Sequence, residues 1–225
     1  MIPWVFALLG STLTSAACGS RRRRSFGSGE WNAGSVLLFV DAAFTRHQAL
    51  AAGMSAALLE RLTAEETLER FAHGMYVNER DALIDLDLAQ ARLRSPRVTI
   101  CLTSALARHG LVDEIPARHD LAVPRGAHLP TLSAGVRWHK YDPATFEIGR
   151  QQEYLGRGLD IGIFSAERSI VDAFNPRLGL PREQAIEALR AWLHLKGSQP
   201  SSLLRIAKHW PHARSGLVSV LQVLL

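Results

Sequence analysis

The sequence predicts an α+β fold with two parts, and three patterns carry this prediction. Residues 44–62 have the spacing of two short helices, and residues 67–77 have that of a tight hairpin. From residue 83 onward, short β-branched runs alternate with helical segments, and the end of the chain contains helical patterns alone. We therefore expect a first domain over residues 36–78, followed by a mixed α/β domain with a helical C-terminal tail over residues 83–225.

The two N-terminal helices are predicted by their caps and by the corner between them. Thr45 and Gln48 have the spacing of a capping box, and Gly53 is placed to end the first helix in the left-handed conformation. Ser55 is suited to cap the second helix, whose leucines between residues 58 and 62 fall on one face. One side of this second helix should therefore be buried, while the other stays free for a partner.

A β-hairpin is expected after the second helix. His73-Gly74 has turn chemistry, and Leu68, Phe71, Tyr76 and Val77 are strand-forming flanks. Two helices, a corner and a hairpin in this order predict a winged helix-turn-helix. In such modules the second helix enters the DNA major groove, and the hairpin contacts backbone or minor groove. The side chains expected to reach DNA are Thr45, Arg46, His47, Ser55, Arg61, Arg70 and His73.

The charge of this first domain leaves a second interpretation open. Between residues 31 and 77 the carboxylates outnumber the arginines, although phosphate contacts supply most non-specific DNA affinity. The net charge of +5 does not decide the matter, because Arg21 to Arg24 contribute much of the excess. The alternative is a protein-interaction module that does not bind DNA.

The first 35 residues combine an apolar run with four arginines. Residues 15–18 have the form of a lipoprotein processing box, but no Lys or Arg precedes the apolar run as a secretion signal requires. The run from Ile2 to Leu9 is too short to cross a bilayer. We expect a disordered extension, or a translation start assigned too far upstream. An arginine-rich arm that grips DNA is the alternative.

The second domain is predicted from its apolar runs and its helix boundaries. Strands are expected over residues 98–102, 120–126, 135–141 and 159–164. Helices are expected over residues 86–93, 103–110 and 165–174, and again after residue 181. These elements predict a small mixed sheet with helices packed on it.

Three charged side chains of this domain are candidates for binding. Arg168 and Asp172 are four residues apart on a predicted helix, so they share a face. They form either a structural ion pair worth roughly 0.3–0.5 kcal/mol or a polar element of a binding surface. Arg125 lies in a Pro-Arg-Gly turn, which either presents it to RNA, a nucleotide or a protein, or is an ordinary solvated turn.

The sequence gives little support for catalysis or for a metal site. It lacks G-x-S-x-G, a glycine-rich phosphate loop and H-E-x-x-H, and its nine histidines include no H-x-x-x-H pair. Cys18 and Cys101 are too few for a disulfide framework, which fits a reducing compartment. We therefore expect no enzymatic activity, no cofactor, no metal, no membrane segment and a cytoplasmic location.

Several segments of the chain, taken in order and spacing, resemble the AbiEi family, the antitoxin component of bacterial type IV toxin–antitoxin systems. The matching segments are Gly74 to Val77, Thr103 to Leu111, Leu121 to Gly126, Gly135 to His139, and Ser165 to Asp172. The resemblance covers roughly residues 36 to 200. It implies a bifunctional transcriptional regulator, whose winged helix represses the operon and whose C-terminal domain is the antitoxin.

The resemblance also implies the partners. Operator DNA would be bound by a monomer or a dimer, and a nucleotidyltransferase-like toxin would be countered without an obligatory stable complex. Residues 83–225 would form the antitoxin domain, and Arg125, Arg168 and Asp172 would belong to its surface. The alternative remains a protein-interaction module or an orphan antitoxin remnant that does not bind DNA.

Overall fold

Two β-sheets with helices packed against them make the chain a mixed α+β protein. The structure is a computed structural model that describes residues 41–81, 83–130 and 135–225. The expectation of a disordered or arginine-rich N-terminal segment over residues 1–35 lies outside the described residues. So does the start of the first predicted domain.

The N-terminal part contains the two helices and the hairpin expected from the sequence. Its elements are β1 (Ala43–Thr45), α1 (Arg46–Ala51), α2 (Ala56–Ala64), β2 (Leu68–Ala72) and β3 (Met75–Asn78). The strands form an antiparallel sheet in the order β1-β3-β2, in which β1 is an addition to the predicted elements. Both helices pack against this sheet through one apolar core, formed by Phe44, Ala49, Met54, Leu59, Leu62, Leu68 and Tyr76.

The predicted caps of α1 and α2 are confirmed. The Thr45 hydroxyl accepts a hydrogen bond from the Gln48 amide at 3.2 Å, and the Gln48 side-chain oxygen accepts one from the Thr45 amide at 2.7 Å. The Ser55 hydroxyl accepts the Leu58 amide at 3.1 Å. Gly53, between the helices, has a φ of 96°, which glycine adopts without steric cost.

The second part is built on a mixed five-stranded sheet. Its strands are β4 (Thr99–Ile100), β5 (His119–Pro124), β6 (Val136–Tyr141), β7 (Arg150–Gly156) and β8 (Leu159–Phe164), in the order β6-β5-β4-β8-β7. The pairs β5–β6 and β4–β8 are parallel, and the other neighbours are antiparallel. Strand β7 is missing from the sequence-based prediction.

Helices cover both faces of this sheet and continue beyond it. They are α3 (Leu86–Arg94), α4 (Leu102–Arg108), α5 (Ala166–Ala173), α6 (Arg182–His194), α7 (Pro200–Ala207) and α8 (Pro211–Leu224), with short 3-10 turns at Glu79–Asp81 and Pro176–Leu178. Helix α3 packs on one face through Leu88 and Ala91. Helix α5 contacts α4, α6, α7 and α8, so it lies inside the helical layer.

The boundary between β4 and α4 differs from the prediction. The expected strand over residues 98–102 is only two residues long, because the helix begins at Leu102 instead of Thr103. Leu102 is buried with a φ of 49°, which turns the chain sharply between the two elements. The Thr103 hydroxyl donates to the Gln184 side-chain oxygen at 3.2 Å.

Candidate functional site

Four of the predicted DNA-facing side chains lie at one end of the N-terminal part. Arg46 and His47 are exposed in the first turn of α1, and Arg70 and His73 are exposed in the hairpin. The Arg46 amide donates to the Gly74 carbonyl at 2.7 Å, which holds the start of α1 against the hairpin turn. Arg70 Nη2 lies 3.2 Å from His73 Nδ1. The chain thus gathers four basic or titratable side chains around this turn.

The other three predicted contacts have local partners. Arg61 is exposed on α2, where its Nε lies 3.8 Å from a carboxylate oxygen of Glu65. The Thr45 hydroxyl is fully used within the capping box of α1. The Ser55 hydroxyl accepts the bond that begins α2. Thr45 and Ser55 therefore have a structural role that their sequence pattern also predicts.

The Arg168–Asp172 ion pair exists, but its expected place on a surface is wrong. Arg168 Nε donates to Asp172 Oδ1 at 3.0 Å, and the exposed fractions of the two residues are 0% and 1%. Helix α5 carries both side chains and is enclosed by the four helices that it contacts, so this pair belongs to the core. The spacing of four residues predicts the pair but contains no information about its burial.

Backbone carbonyls and aromatic rings complete the surroundings of Arg168. Its Nη1 donates to the carbonyl oxygens of Thr145 and Ile148, each at 3.0 Å. Its guanidinium carbon lies 3.8 Å from the centre of the Trp210 ring and 4.6 Å from that of Phe164. Cation–π attraction and these hydrogen bonds offset part of the cost of burying the charge.

A cleft of about 420 Å³ opens beside this ion pair, and we call it the basic cleft. Tyr141 and Asp172 lie on its buried side, whereas Arg125, Lys140 and Arg177 are exposed on its rim. The Arg125 amide donates to the Tyr141 carbonyl at 2.7 Å, just beyond the paired ends of β5 and β6. Arg125 and Asp172, predicted separately, therefore line the same cleft.

Three buried polar atoms at this place make no hydrogen bond of good geometry among the described residues. They are the Tyr141 hydroxyl, Arg168 Nη2 and Asp172 Oδ2. Native structures leave few buried polar atoms unpaired, because each costs free energy. The Tyr141 hydroxyl and the Asp172 carboxylate lie close enough to affect each other's pKa, and both side chains line the basic cleft.

Burial dominates the titration of these groups. It raises the pKa of Asp172 from 3.8 to about 6. The charge and hydrogen bond of Arg168 and the nearby Tyr141 hydroxyl lower this pKa, but by less than burial raises it. Burial and the charge of Asp172 raise the pKa of Tyr141 well above its ordinary value. Burial, followed by the charges of Asp120 and Asp172, also raises the pKa of the Cys101 thiol. This thiol is therefore protonated at neutral pH.

A second buried polar group lies on the same face of the sheet. Asp120 Oδ1 lies 2.8 Å from His139 Nε2 and 3.6 Å from Arg137 Nη1. The Asp120 amide donates to the Ser104 hydroxyl at 2.8 Å. These contacts connect β5, β6 and α4, so their evident role is to fix the strands that lead to the basic cleft.

Sequence reasoning missed most of the basic cleft. Tyr141 lies in a predicted strand and Asp172 in a predicted helix, but no local pattern states that the two meet. Trp210 comes from the segment between α7 and α8, far away in sequence. A further local signal is His209-Trp-Pro-His212, a cluster of aromatic and imidazole groups at the start of α8.

Two other properties concern the described part of the chain. None of its helices is long and apolar enough to cross a membrane. Its His, Cys, Asp and Glu side chains nowhere form a group of three or more that is suited to a metal ion.

Comparison with known proteins finds a distant structural likeness. No family model matches the chain, and no curated protein matches it. Among solved structures it is similar to the RV2827C protein from Mycobacterium tuberculosis, with 13% sequence identity and a TM-score of 0.47. The likeness covers 84% of this chain and 79% of that chain. At this level of similarity, the function must be argued from the residues themselves.

Proposed function

We propose that this chain is an antitoxin of the AbiEi type that also represses its own operon. Residues 36–78 would bind operator DNA as a winged helix-turn-helix, and residues 83–225 would counter a nucleotidyltransferase-like toxin. The observation that supports the DNA-binding half is the exposed group of Arg46, His47, Arg70 and His73 at one end of the N-terminal part.

The exposed face of α2 is suited to the major groove of DNA. Ala57, Glu60, Arg61 and Ala64 are exposed at helical spacing, while Leu59 and Leu62 are buried against the sheet. Two alanines leave room for close approach to base edges, and Arg61 is the residue of this face that reads guanine best. Arg46 and Arg70 would contact phosphates on either side, which positions the helix without specifying sequence.

The repressor half is tested by a gel-shift titration against the DNA upstream of the gene at two salt concentrations. We expect selective, salt-sensitive binding. Arg46→Ala/Arg70→Ala should weaken binding to all sequences, and the slope of the logarithm of the binding constant against the logarithm of the salt concentration should fall by about one per lost phosphate contact. Arg61→Ala should instead reduce the free-energy difference between the preferred and other sequences by roughly 1–3 kcal/mol. Arg190→Ala/Arg205→Ala removes the same charge from exposed positions on α6 and α7 and should leave binding unchanged. Binding no tighter than to random DNA would exclude a repressor.

The antitoxin half needs a separate readout. Coexpression with the nucleotidyltransferase-like toxin of the same operon should restore growth. The Arg46→Ala/Arg70→Ala variant should still protect, because the proposed antitoxin domain does not include these residues. Loss of protection in this variant would show that the two activities are not divided between the two domains as proposed.

A protein-interaction module is the second candidate, and the negative charge on the N-terminal part of the chain favours it. Glu60, Glu65, Glu66 and Glu69 are exposed there, and Glu65 partly neutralises Arg61. Phosphates would be repelled by this surface, whereas a basic protein would not. Protection from the toxin without any selective DNA binding is the outcome that would select this candidate.

A further inference from the structure

We propose that the basic cleft binds a nucleoside phosphate. The phosphate would lie against the rim cations Arg125, Lys140 and Arg177, and a hydroxyl or amino group of the nucleoside would reach Tyr141 and Asp172. This site is independent of the proposed operator binding, because it involves neither the N-terminal part nor DNA.

The position of the cleft in the fold is the first argument. Pro124 and Tyr141 are paired at the carboxyl ends of the parallel strands β5 and β6, and Arg125 follows immediately. In open α/β sheets, ligands bind in crevices outside the carboxyl ends of parallel strands. The volume of about 420 Å³ lies within the range of small-molecule sites.

Charge at the rim is the second argument. Arg125, Lys140 and Arg177 are exposed cations, and His209 and His212 add two imidazoles. The opposing carboxylates are Asp142 and Asp172. Asp142 accepts the Ala144 amide at 3.0 Å and thus closes a turn, while Asp172 is neutralised by Arg168. The rim therefore has an excess of positive charge that attracts an anionic group.

The start of α8 strengthens this preference. Trp210, Pro211 and His212 line the cleft, and this fourteen-residue helix begins at Pro211 without a side-chain cap. Unpaired amides and the positive end of the helix dipole at such a terminus favour a phosphate group.

The buried side of the cleft supplies the independent evidence for a ligand. Tyr141 and Asp172 are 6% and 1% exposed, and the Tyr141 hydroxyl and Asp172 Oδ2, which lie near each other, make no hydrogen bond of good geometry among the described residues. A carboxylate oxygen accepts from a hydroxyl or amino group, and a phenol either donates or accepts. A free phosphate has little to offer Asp172, whereas the sugar and base of a nucleoside carry such donors. The combination therefore favours a nucleoside phosphate over an inorganic anion.

Calorimetric titration of the full chain with adenosine monophosphate tests the proposal, alongside adenosine and inorganic phosphate as separate probes. We expect the monophosphate to bind more tightly than either part. Arg125→Ala/Arg177→Ala should weaken this binding about tenfold to a hundredfold, as expected for the loss of hydrogen bonds to a charged group. Both arginines are exposed, so folding should be unaffected. Arg190→Ala/Arg205→Ala, with the same change of charge elsewhere, should bind like the unaltered protein.

The fluorescence of Trp210 locates the binding. Ligand should change the tryptophan emission of the protein, and the change should be lost in Trp210→Phe, which keeps an aromatic ring over Arg168. Three results would each overturn the proposal: no binding of the monophosphate at millimolar concentration, equal binding of adenosine, or binding that the rim variant retains in full. Binding of an end-phosphorylated oligonucleotide without binding of the monophosphate would also overturn it, because the site would then belong to a nucleic acid.

Discussion

Arg168 Nε lies 3.0 Å from Asp172 Oδ1 across one turn of α5, and neither side chain reaches solvent. The pair of Arg61 and Glu65 on α2 has the same spacing but is more than half exposed, with 3.8 Å between its atoms. Two ion pairs with the same sequence spacing thus lie in opposite environments, so their energetic roles should differ strongly.

Replacement of Arg168 by alanine should destabilise the protein by about 3–5 kcal/mol, since Asp172 would remain as a buried charge without its partner. The loss is measured as the change in the free energy of unfolding by urea titration. Arg61→Ala is the matched control and should cost less than about 1 kcal/mol, because exposed pairs are screened by water. Equal losses for the two variants would show that the Asp172 carboxylate does not depend on Arg168.

Asp172 should make the protein less stable as the pH rises from about 4 to about 6. The carboxyl titrates near 3.8 when unfolded and near 6 when folded, so the folded state binds the proton more tightly in this range. The free energy of unfolding should fall by at most about 3 kcal/mol across this window and then level off above it. Asp172→Asn should remove this part of the pH dependence.

Urea denaturation at several pH values compares the two proteins. The expected result is a difference between their stability curves that grows from pH 4 to pH 6. Tyr141 and Cys101 also lie beside this carboxyl, and burial raises the pKa of both well above this interval. Parallel curves would mean that the carboxyl has the same pKa in the folded and unfolded states.

Gly149 should be sensitive to substitution because of Arg168. Its φ is 70°, and a Cβ placed on it would lie 2.7 Å from the Arg168 Cβ. Gly179 has a φ of 71° with no atom within 4 Å of such a Cβ, so it is a control for backbone strain alone. Gly179→Ala should cost about 1 kcal/mol. Gly149→Ala should cost at least about 1 kcal/mol more because of overpacking. Thermal or urea unfolding checks the difference, and equal costs would contradict it.

Local signals explain which parts of the fold were predictable. The caps of α1 and α2 depend on side chains within three residues of each other, and both are present as expected. Strand β7 was missed because Arg150–Gly156 is mostly polar and exposed at an edge of the described sheet. Its partner β8 is buried and apolar, and was recognised. This strand has too little apolar alternation to be recognised in the sequence.

The basic cleft was only partly predictable for a different reason. The ion pair and the Arg125 turn each have a local pattern, but nothing local states that they meet. Their meeting depends on parallel pairing of β5 with β6 and on the packing of α8 against α5. Both are contacts between distant segments. The expected surface position of Arg168 and Asp172 was wrong for the same reason, since burial is decided by those contacts.

Ser55 allows folding and DNA binding to be separated. Its hydroxyl caps α2 through the Leu58 amide, so Ser55→Ala should lower stability by about 1 kcal/mol. Aspartate caps a helix as well as serine does, and Ser55→Asp should therefore keep the stability of the unaltered protein. If α2 enters the major groove, its N-terminus lies beside phosphates, and the added negative charge should weaken operator binding and change its salt dependence. Unfolding and gel-shift titrations of both variants provide the comparison. A Ser55→Asp protein that is stable and binds operator normally would place the first turn of α2 away from the DNA.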